Sequence, residues 1–278
     1  MSYEYDLNTL LELGNEEYHA ALAMSSTKLR DYATSPLLFH HRYNLRDMPF
    51  EDSPALRIGS IVDALVLEQS ALDGMIAVIP SEVLNKDGHR KGGAWTEWAA
   101  QQGSKTMLKP EEWDDIRSMA DSVWACPPAV TLITASQHQQ AVFWQDDDHD
   151  GIIGKCKFDG VWDSGFFDLK TTSDSLPDFR HSVKRYNYMT QLAWYAIGFE
   201  RVFGAWPQWM SWIVVSKVKP YECMVLEPSG DNIEKLARQH INNLLDRYIA
   251  QSESGDWHNE KYSEVVSYPV DAYSFGGL

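Results

Sequence analysis

Cysteine is scarce in this chain of 278 residues: only Cys126, Cys156 and Cys223, widely spaced and without a CxxC pair. That excludes a disulfide framework and a four-cysteine iron-sulfur cluster. No stretch approaches eighteen consecutive apolar residues, so no membrane-spanning helix is expected. The first residues, Met1-Ser-Tyr-Glu-Tyr-Asp6, are acidic where a signal peptide would be basic, which predicts a cytoplasmic protein. Positive charge is also in deficit, with 24 Lys and Arg against 40 Asp and Glu and a net charge of −16. Diffuse polyanion binding over the whole surface is therefore disfavoured, while a local basic channel is not. The sources for such a channel are His40-His41-Arg42 with Arg46, His89-Arg90-Lys91, and Lys184-Arg185.

Aromatics, in contrast, are plentiful: 11 Trp, 13 Tyr and 10 Phe supply packing or base-stacking surface. The chain is long enough for one large domain with a substantial core. Its pattern predicts an arm or short helix over 1–24, then two helices opened by Ser25-Ser26 and by Ser35-Pro36, the latter with N-cap and N1 proline chemistry. Pro54 opens an apolar helix over 55–68 with one carboxylate in its interior, Asp63, and a second, Glu68, at its end. A buried, ionised Asp is costly unless paired or metal-bound, so Asp63 is either a ligand or on a solvent stripe. A strand over 75–79 precedes a glycine-containing basic loop, 85–93, suited to a lid or a substrate contact. Helices over 94–101 and 110–125 follow, then strands over 129–134 and 141–145. A helix over 182–203, strands over 209–217 and 221–226, and an amphipathic helix over 231–250 complete the pattern. On the 182–203 helix, Lys184, Tyr188, Gln191 and Tyr195 form one stripe.

The most informative segment is 151–172. It reads as a hairpin of strands over 151–162 and 166–170, turned at Asp163-Ser164-Gly165. Such a hairpin gathers Asp159, Asp168 and Lys170 at one point. Asp168 and Lys170 share a face while Leu169 faces the other side. Two carboxylates in an aromatic, β-branched hairpin need partners, and oxygen-only ligation favours a hard cation such as Mg²⁺ or Mn²⁺. Lys170 beside that cation would stabilise negative charge on an attacking oxygen or a phosphate. An exposed hairpin with an ordinary Asp and Lys pair is the competing reading.

Five signals in this order carry a resemblance: Ser35-Pro36; Gly59-x-x-x-Asp63 with Leu67-Glu68; Lys157-Phe-Asp159; Asp168-Leu-Lys170-Thr171-Thr172; and Tyr188-x-x-Gln191-x-x-x-Tyr195. Over residues 25–265 the chain resembles the PD-(D/E)XK nuclease superfamily, most closely its RecE or exonuclease VIII-like, phage-type branch. The resemblance implies an α/β fold with a restriction-endonuclease-like core, a central mixed β-sheet flanked by helices, and an N-terminal helical elaboration. It divides the chain into an arm (1–24), one nuclease domain (25–265; mainly helical over 25–125, catalytic core over 126–250) and a tail (266–278). The implied activity is metal-dependent hydrolysis of double-stranded DNA from its ends, 5′ to 3′, generating single strands for recombination. The alternatives are a structure-dependent or helicase-associated nuclease and a catalytically silent DNA- or protein-binding module.

By the same resemblance, Asp159 and Asp168 hold Mg²⁺ (or Mn²⁺) with the Leu169 carbonyl, and Lys170 positions the attacking water. Gln191 and Tyr195 shape the site. Asp63 stands where the branch usually has His; because other branches place a carboxylate on that helix, it is expected as a further ligand. DNA contacts are expected from Arg90, Lys91, Lys157, Thr171, Thr172, Lys184 and Tyr188. Lys157 replaces the branch's Arg, keeping the charge but losing the planar fork. The implied partners are DNA ends, a single-strand annealing recombination protein and further copies of the chain in a ring.

Overall fold

The computed structural model describes residues 4–49 and 53–259, so the expected tail over 266–278 lies outside the described residues. A seven-stranded mixed sheet runs through the molecule. Its strands are β1 (Leu11–Glu12), β2 (Met24–Ser25), β5 (Gln137–Asp146), β6 (Ile152–Trp162), β7 (Gly165–Thr172), β8 (Trp209–Ser216) and β9 (Cys223–Leu226), while β3 (Ile76–Val78) and β4 (Thr106–Leu108) form a separate parallel pair. The main order is β1-β5-β6-β7-β8-β9, with β7 and β8 parallel and the other neighbours in that order antiparallel. Helices cover both faces, as expected of a mixed α/β sheet. One face carries the Tyr188–Phe203 and Ile233–Ser254 helices over Trp144, Phe158, Phe166 and Trp212. The other carries the Pro54–Leu67 and Pro110–Trp124 helices over Phe167, Leu169, Ile213 and Val215.

One feature of this register creates the cleft. β6 and β7 pair only from Trp162↔Gly165 to Gly160↔Phe167. Beyond that point they part, and Asp159 and Asp168 are the first residues past the last pair. Further back along the same edge of β6, the short β2 pairs in parallel at Gly154 and Lys155. The sheet therefore has a notch between β2 and β7.

Gly160 is required at the mouth of this fork, because a Cβ there would lie 2.0 Å from a ring carbon of Phe167. A Gly160→Val variant is expected to lose about 1–3 kcal/mol or more by overpacking, visible as a lowered thermal midpoint.

Three expectations need correction. Residues 129–134 belong to a helix, Pro127–Ala135, and not to a strand. A short β-branched apolar run is ambiguous by periodicity, and prolines 127 and 128 supply helix-start chemistry that decides it. The expected 182–203 helix is two, Phe179–Arg185 and Tyr188–Phe203, broken where Asn187 takes a left-handed conformation at φ 51°. Asn tolerates that region better than most residues. Finally, the 1–24 segment supplies two strands as well as the Asn15–Ala20 helix. Its anchoring comes from β6: the buried Lys155 ammonium donates to the carbonyls of Tyr18 (2.6 Å) and Ala21 (2.8 Å), and Lys157 donates to Asn15 Oδ1 (2.7 Å). Isolated short strands carry too little pattern to be read without such partners.

Candidate active site

At the fork, each polar side chain has a defined holder. Asp168 is buried on β7; its Oδ1 accepts from Gln191 Nε2 at 2.9 Å, and its Oδ2 lies 2.5 Å from Lys170 Nζ. Lys170 also sits 5.1 Å from the centroid of the Tyr188 ring, so the ammonium is held between a carboxylate and an aromatic face. Asp159 Oδ2 accepts from the Leu169 backbone N–H at 2.7 Å, and Gln139 Nε2 reaches its Oδ1 at 3.5 Å. In a strand, the N–H and C=O of one residue point to the same neighbour. The Leu169 carbonyl is therefore directed towards the same side, where β6 has left the ladder.

Asp63 reaches this point from the opposite layer. The Pro54–Leu67 helix begins at Ser53, whose hydroxyl accepts from Leu56 N–H, and continues through Pro54 at its first position. It crosses β7 closely: a Cβ on Gly59 would be 3.4 Å from Thr171 Oγ1. One turn on, Asp63 enters the field of Asp159, Lys170 and Asp168. Three carboxylates and one ammonium thus share one volume.

Electrostatics record the imbalance. Burial, and then Asp168, push the Asp159 carboxyl up to about 7. Burial and then Asp159 raise Asp63 well above the carboxylate range. Burial opposes charge on Lys170, yet Asp168 and Asp159 outweigh it and hold its ammonium above the ordinary lysine value. In the metal-free fold Lys170 is therefore favoured as the cation. Burial raises the Tyr195 phenol, which remains protonated.

Two clefts meet at Asp63. One, of about 220 Å³, also reaches Asp159, Lys157, Glu68, His19 and Tyr195. The other, of about 610 Å³, reaches Lys170, Thr171 and Tyr188 and is edged by Arg30, Arg185 and Lys217.

Residues 25–266 match the model of a PDDEXK-like domain of unknown function (DUF3799). The chain belongs to this PDDEXK-like family. A candidate exonuclease from Eubacterium rectale shares the fold, with a TM-score of 0.61 at 17% identity, covering 95% of this chain and 98% of that one. An alkaline exonuclease from Laribacter hongkongensis is a more distant likeness, with a TM-score of 0.28 at 15% identity over 67% of this chain and 91% of its own. No curated protein matches.

Within this PDDEXK-like fold, the structure brings Asp63, Asp159, Asp168, Leu169, Lys170, Gln191 and Tyr195 to one centre. Thr171 and Tyr188 line the larger cleft. Lys157 faces the smaller one. Thr172 is buried, its hydroxyl accepting from Asp174 N–H. Lys184 is exposed and lines neither cleft, because the break at Asn187 takes it off the stripe. Arg90 and Lys91 are exposed and also line neither cleft; the Arg90 guanidinium is bound to Glu112 (2.8 Å) and to the Met107 carbonyl (3.1 Å). Arg30 and Lys217 are cleft residues that sequence reasoning missed, since no local pattern marks them. Arg42 and Arg185, members of two of the basic runs, lie on the same cleft although 143 positions apart.

The donor set suits a hard divalent cation. Among the described residues no three His, Cys, Asp or Glu side chains are set around a single point as they stand. Even so, burial first and neighbouring carboxylates second raise the Asp159 and Asp63 carboxyls, so ionising them at this centre calls for a cation beyond Lys170. All the oxygens on offer, from Asp63, Asp159, Asp168 and the Leu169 carbonyl, are of the type such ions take.

Proposed function

We propose that the protein is a metal-dependent exodeoxyribonuclease that hydrolyses phosphodiester bonds of duplex DNA from its ends, 5′ to 3′, leaving single strands for recombination. The observation that carries this reading is the fork after Gly160 and Phe167, with Asp159, Asp168 and Lys170 on the diverging strands and Asp63 on the facing helix. The PDDEXK-like family supports it, and a silent binding module has no need to keep three carboxylates, one buried and two half-buried, together.

Asp63, Asp159, Asp168 and the Leu169 carbonyl would hold Mg²⁺, with Mn²⁺ as a substitute. When bound, the ion polarises the scissile phosphate and lowers the pKa of water. Lys170 holds a phosphate oxygen or orients the attacking water and stabilises the negative charge that develops. Gln191 fixes the rotamer of Asp168 through its 2.9 Å hydrogen bond, so that Oδ2 faces Lys170. The ring of Tyr188 excludes water from one side of the ammonium, and Tyr195 closes the wall behind Asp159. Arg30, Arg185 and Lys217, with Thr171, line the path along which a phosphate backbone approaches. This local patch answers the objection raised by the net charge of −16. The 5′ to 3′ direction, a ring-shaped homo-oligomer and a single-strand annealing partner follow from the RecE-like resemblance and belong to the same proposal.

The mode of attack is tested with linear duplex labelled at either 5′ end or 3′ end, beside covalently closed circles, in Mg²⁺. The expected result is early release of 5′ label as mononucleotide and intact circles. Equal loss from circles would replace the exonuclease by an endonuclease, and early 3′ release would reverse the direction.

A further inference from the structure

Scarcity in the sequence does not keep the cysteines apart in space. Cys126 and Cys223 stand 97 positions from each other, yet both are half-buried against the same apolar cluster, the one under the Pro110–Trp124 helix. Cys156 is buried in the cluster on the opposite face of the sheet.

The strand register and the helix junction account for the meeting. Cys223 opens β9 and pairs with Val215 of β8, and residues directly opposite in an antiparallel ladder put their side chains on the same face. Val215 packs in the cluster under the Pro110–Trp124 helix, so Cys223 points the same way. Cys126 lies where that helix hands over to the Pro127–Ala135 helix, which itself packs against β9. Its backbone is held from both sides: the N–H donates to the Val123 carbonyl at 3.1 Å, and the carbonyl accepts from Val130 N–H at 3.0 Å.

The two thiols are in contact. The Cys223 S–H donates to the Cys126 sulfur, and burial first and Cys126 second raise the Cys223 thiol above its ordinary value. Cys223 therefore keeps its proton at neutral pH, which leaves Cys126 as the sulfur that attacks an oxidant. The Cys156 thiol is raised by burial alone. Among the described residues no third His, Cys, Asp or Glu joins the pair to make a group that could hold a metal ion. A hydrogen-bonded thiol pair carried by two rigid elements needs only a small rotation of its side chains to reach the S–S bond length of about 2.05 Å.

We propose that Cys126 and Cys223 are a peroxide-responsive dithiol that closes to a reversible disulfide, tying the β9 edge of the sheet to the junction of the two helices. In the first step the Cys126 sulfur attacks one oxygen of hydrogen peroxide and the O–O bond breaks. The second oxygen takes up the thiol proton and leaves as water, so that Cys126 becomes a sulfenic acid. The Cys223 sulfur then attacks the Cys126 sulfur, the S–O bond breaks, and the hydroxyl leaves with the Cys223 proton as a second water. Two thiols are thereby oxidised by two electrons and one peroxide is reduced to two waters. The proposal does not depend on the nuclease reading, since neither sulfur lines the clefts that meet at Asp63.

The test treats the whole, natively folded protein with excess hydrogen peroxide, removes the oxidant with catalase, and counts free thiols in denaturant before peptide mapping without reductant. The expected result is a fall from three free thiols to one, Cys156, with a Cys126–Cys223 linked peptide that dithiothreitol dissolves. Cys126→Ser and Cys223→Ser should each yield no linked peptide within the chain, and the wild type oxidised in denaturant should lose the preference for this pair. Three free thiols after treatment of the folded wild type would overturn the proposal. So would Cys126 carried to a sulfinic acid beside a free Cys223, or a linkage that involves Cys156 or joins two chains.

Discussion

Replacing Lys170 by Ala is expected to lower the rate of DNA hydrolysis in Mg²⁺ by about 10²–10³-fold, the usual cost of removing one preorganised electrostatic group from a site excluded from water. The ammonium lies 2.5 Å from Asp168 Oδ2, and Asp168 and Asp159 favour its charged form, so on this account the substitution removes a positive charge. The pH profile of the remaining activity should therefore keep its shape. A profile that lost a basic limb would instead assign Lys170 to proton transfer. The substitution also leaves the Asp168 carboxylate buried without its cation, which costs about 3–5 kcal/mol in the protein without metal. That loss should be largely recovered when Mg²⁺ is added. Comparing thermal midpoints with and without the ion separates the catalytic defect from simple unfolding.

Mg²⁺ is expected to stabilise the folded protein strongly at pH 8 and weakly near pH 5.5. The Asp159 carboxyl is held at about 7 in the metal-free fold, above the ordinary carboxylate range of the unfolded chain, and Asp63 is shifted in the same direction. The folded state thus keeps protons that the unfolded chain releases. Stability from this source is fully present below about pH 4 and is lost as pH rises towards 7. A divalent cation needs the ionised forms, so it displaces those protons at low pH and relieves repulsion at high pH. At a hundredfold excess over its dissociation constant, the ion adds about 2.7 kcal/mol, or roughly 5–10 °C in midpoint for a chain of this size. A midpoint at pH 8 that ignores Mg²⁺, or one that gains equally at pH 5.5, would mean that these carboxylates are not its ligands. An Asp63→Asn variant should retain part of the gain, and full retention would remove Asp63 from the set.

The sequence made the hairpin legible because its signals are local. Asp163-Ser164-Gly165 supplies the turn, alternation fixes the faces of Asp168 and Lys170, and the strands fall at Ile152–Trp162 and Gly165–Thr172. The carboxylate on the Pro54–Leu67 helix was legible as an anomaly, since an apolar helix has few reasons to carry Asp63. Its purpose depends on a crossing with β7 that no local pattern encodes.

Other features were hidden for related reasons. The left-handed Asn187 breaks a helix that periodicity draws as continuous, and it removes Lys184 from the stripe that still holds Tyr188, Gln191 and Tyr195. Pro127 and Pro128 turned an apparent strand into a helix. The basic lining of the larger cleft is assembled from Arg30, Arg42, Arg185 and Lys217, which lie on four separate segments, so a search for basic runs finds it only in fragments. The run at 89–91 shows the opposite error, because a sequence cluster need not face the site, and Arg90 is occupied by Glu112.

The most direct test of the account is digestion of end-labelled linear duplex DNA by the wild-type protein in Mg²⁺, Mn²⁺ and EDTA, with Asp168→Asn alongside. The account predicts digestion in Mg²⁺ and Mn²⁺, none in EDTA, and none above background by Asp168→Asn in any buffer. Digestion that persists in EDTA, or an Asp168→Asn protein as active as the wild type, would contradict it.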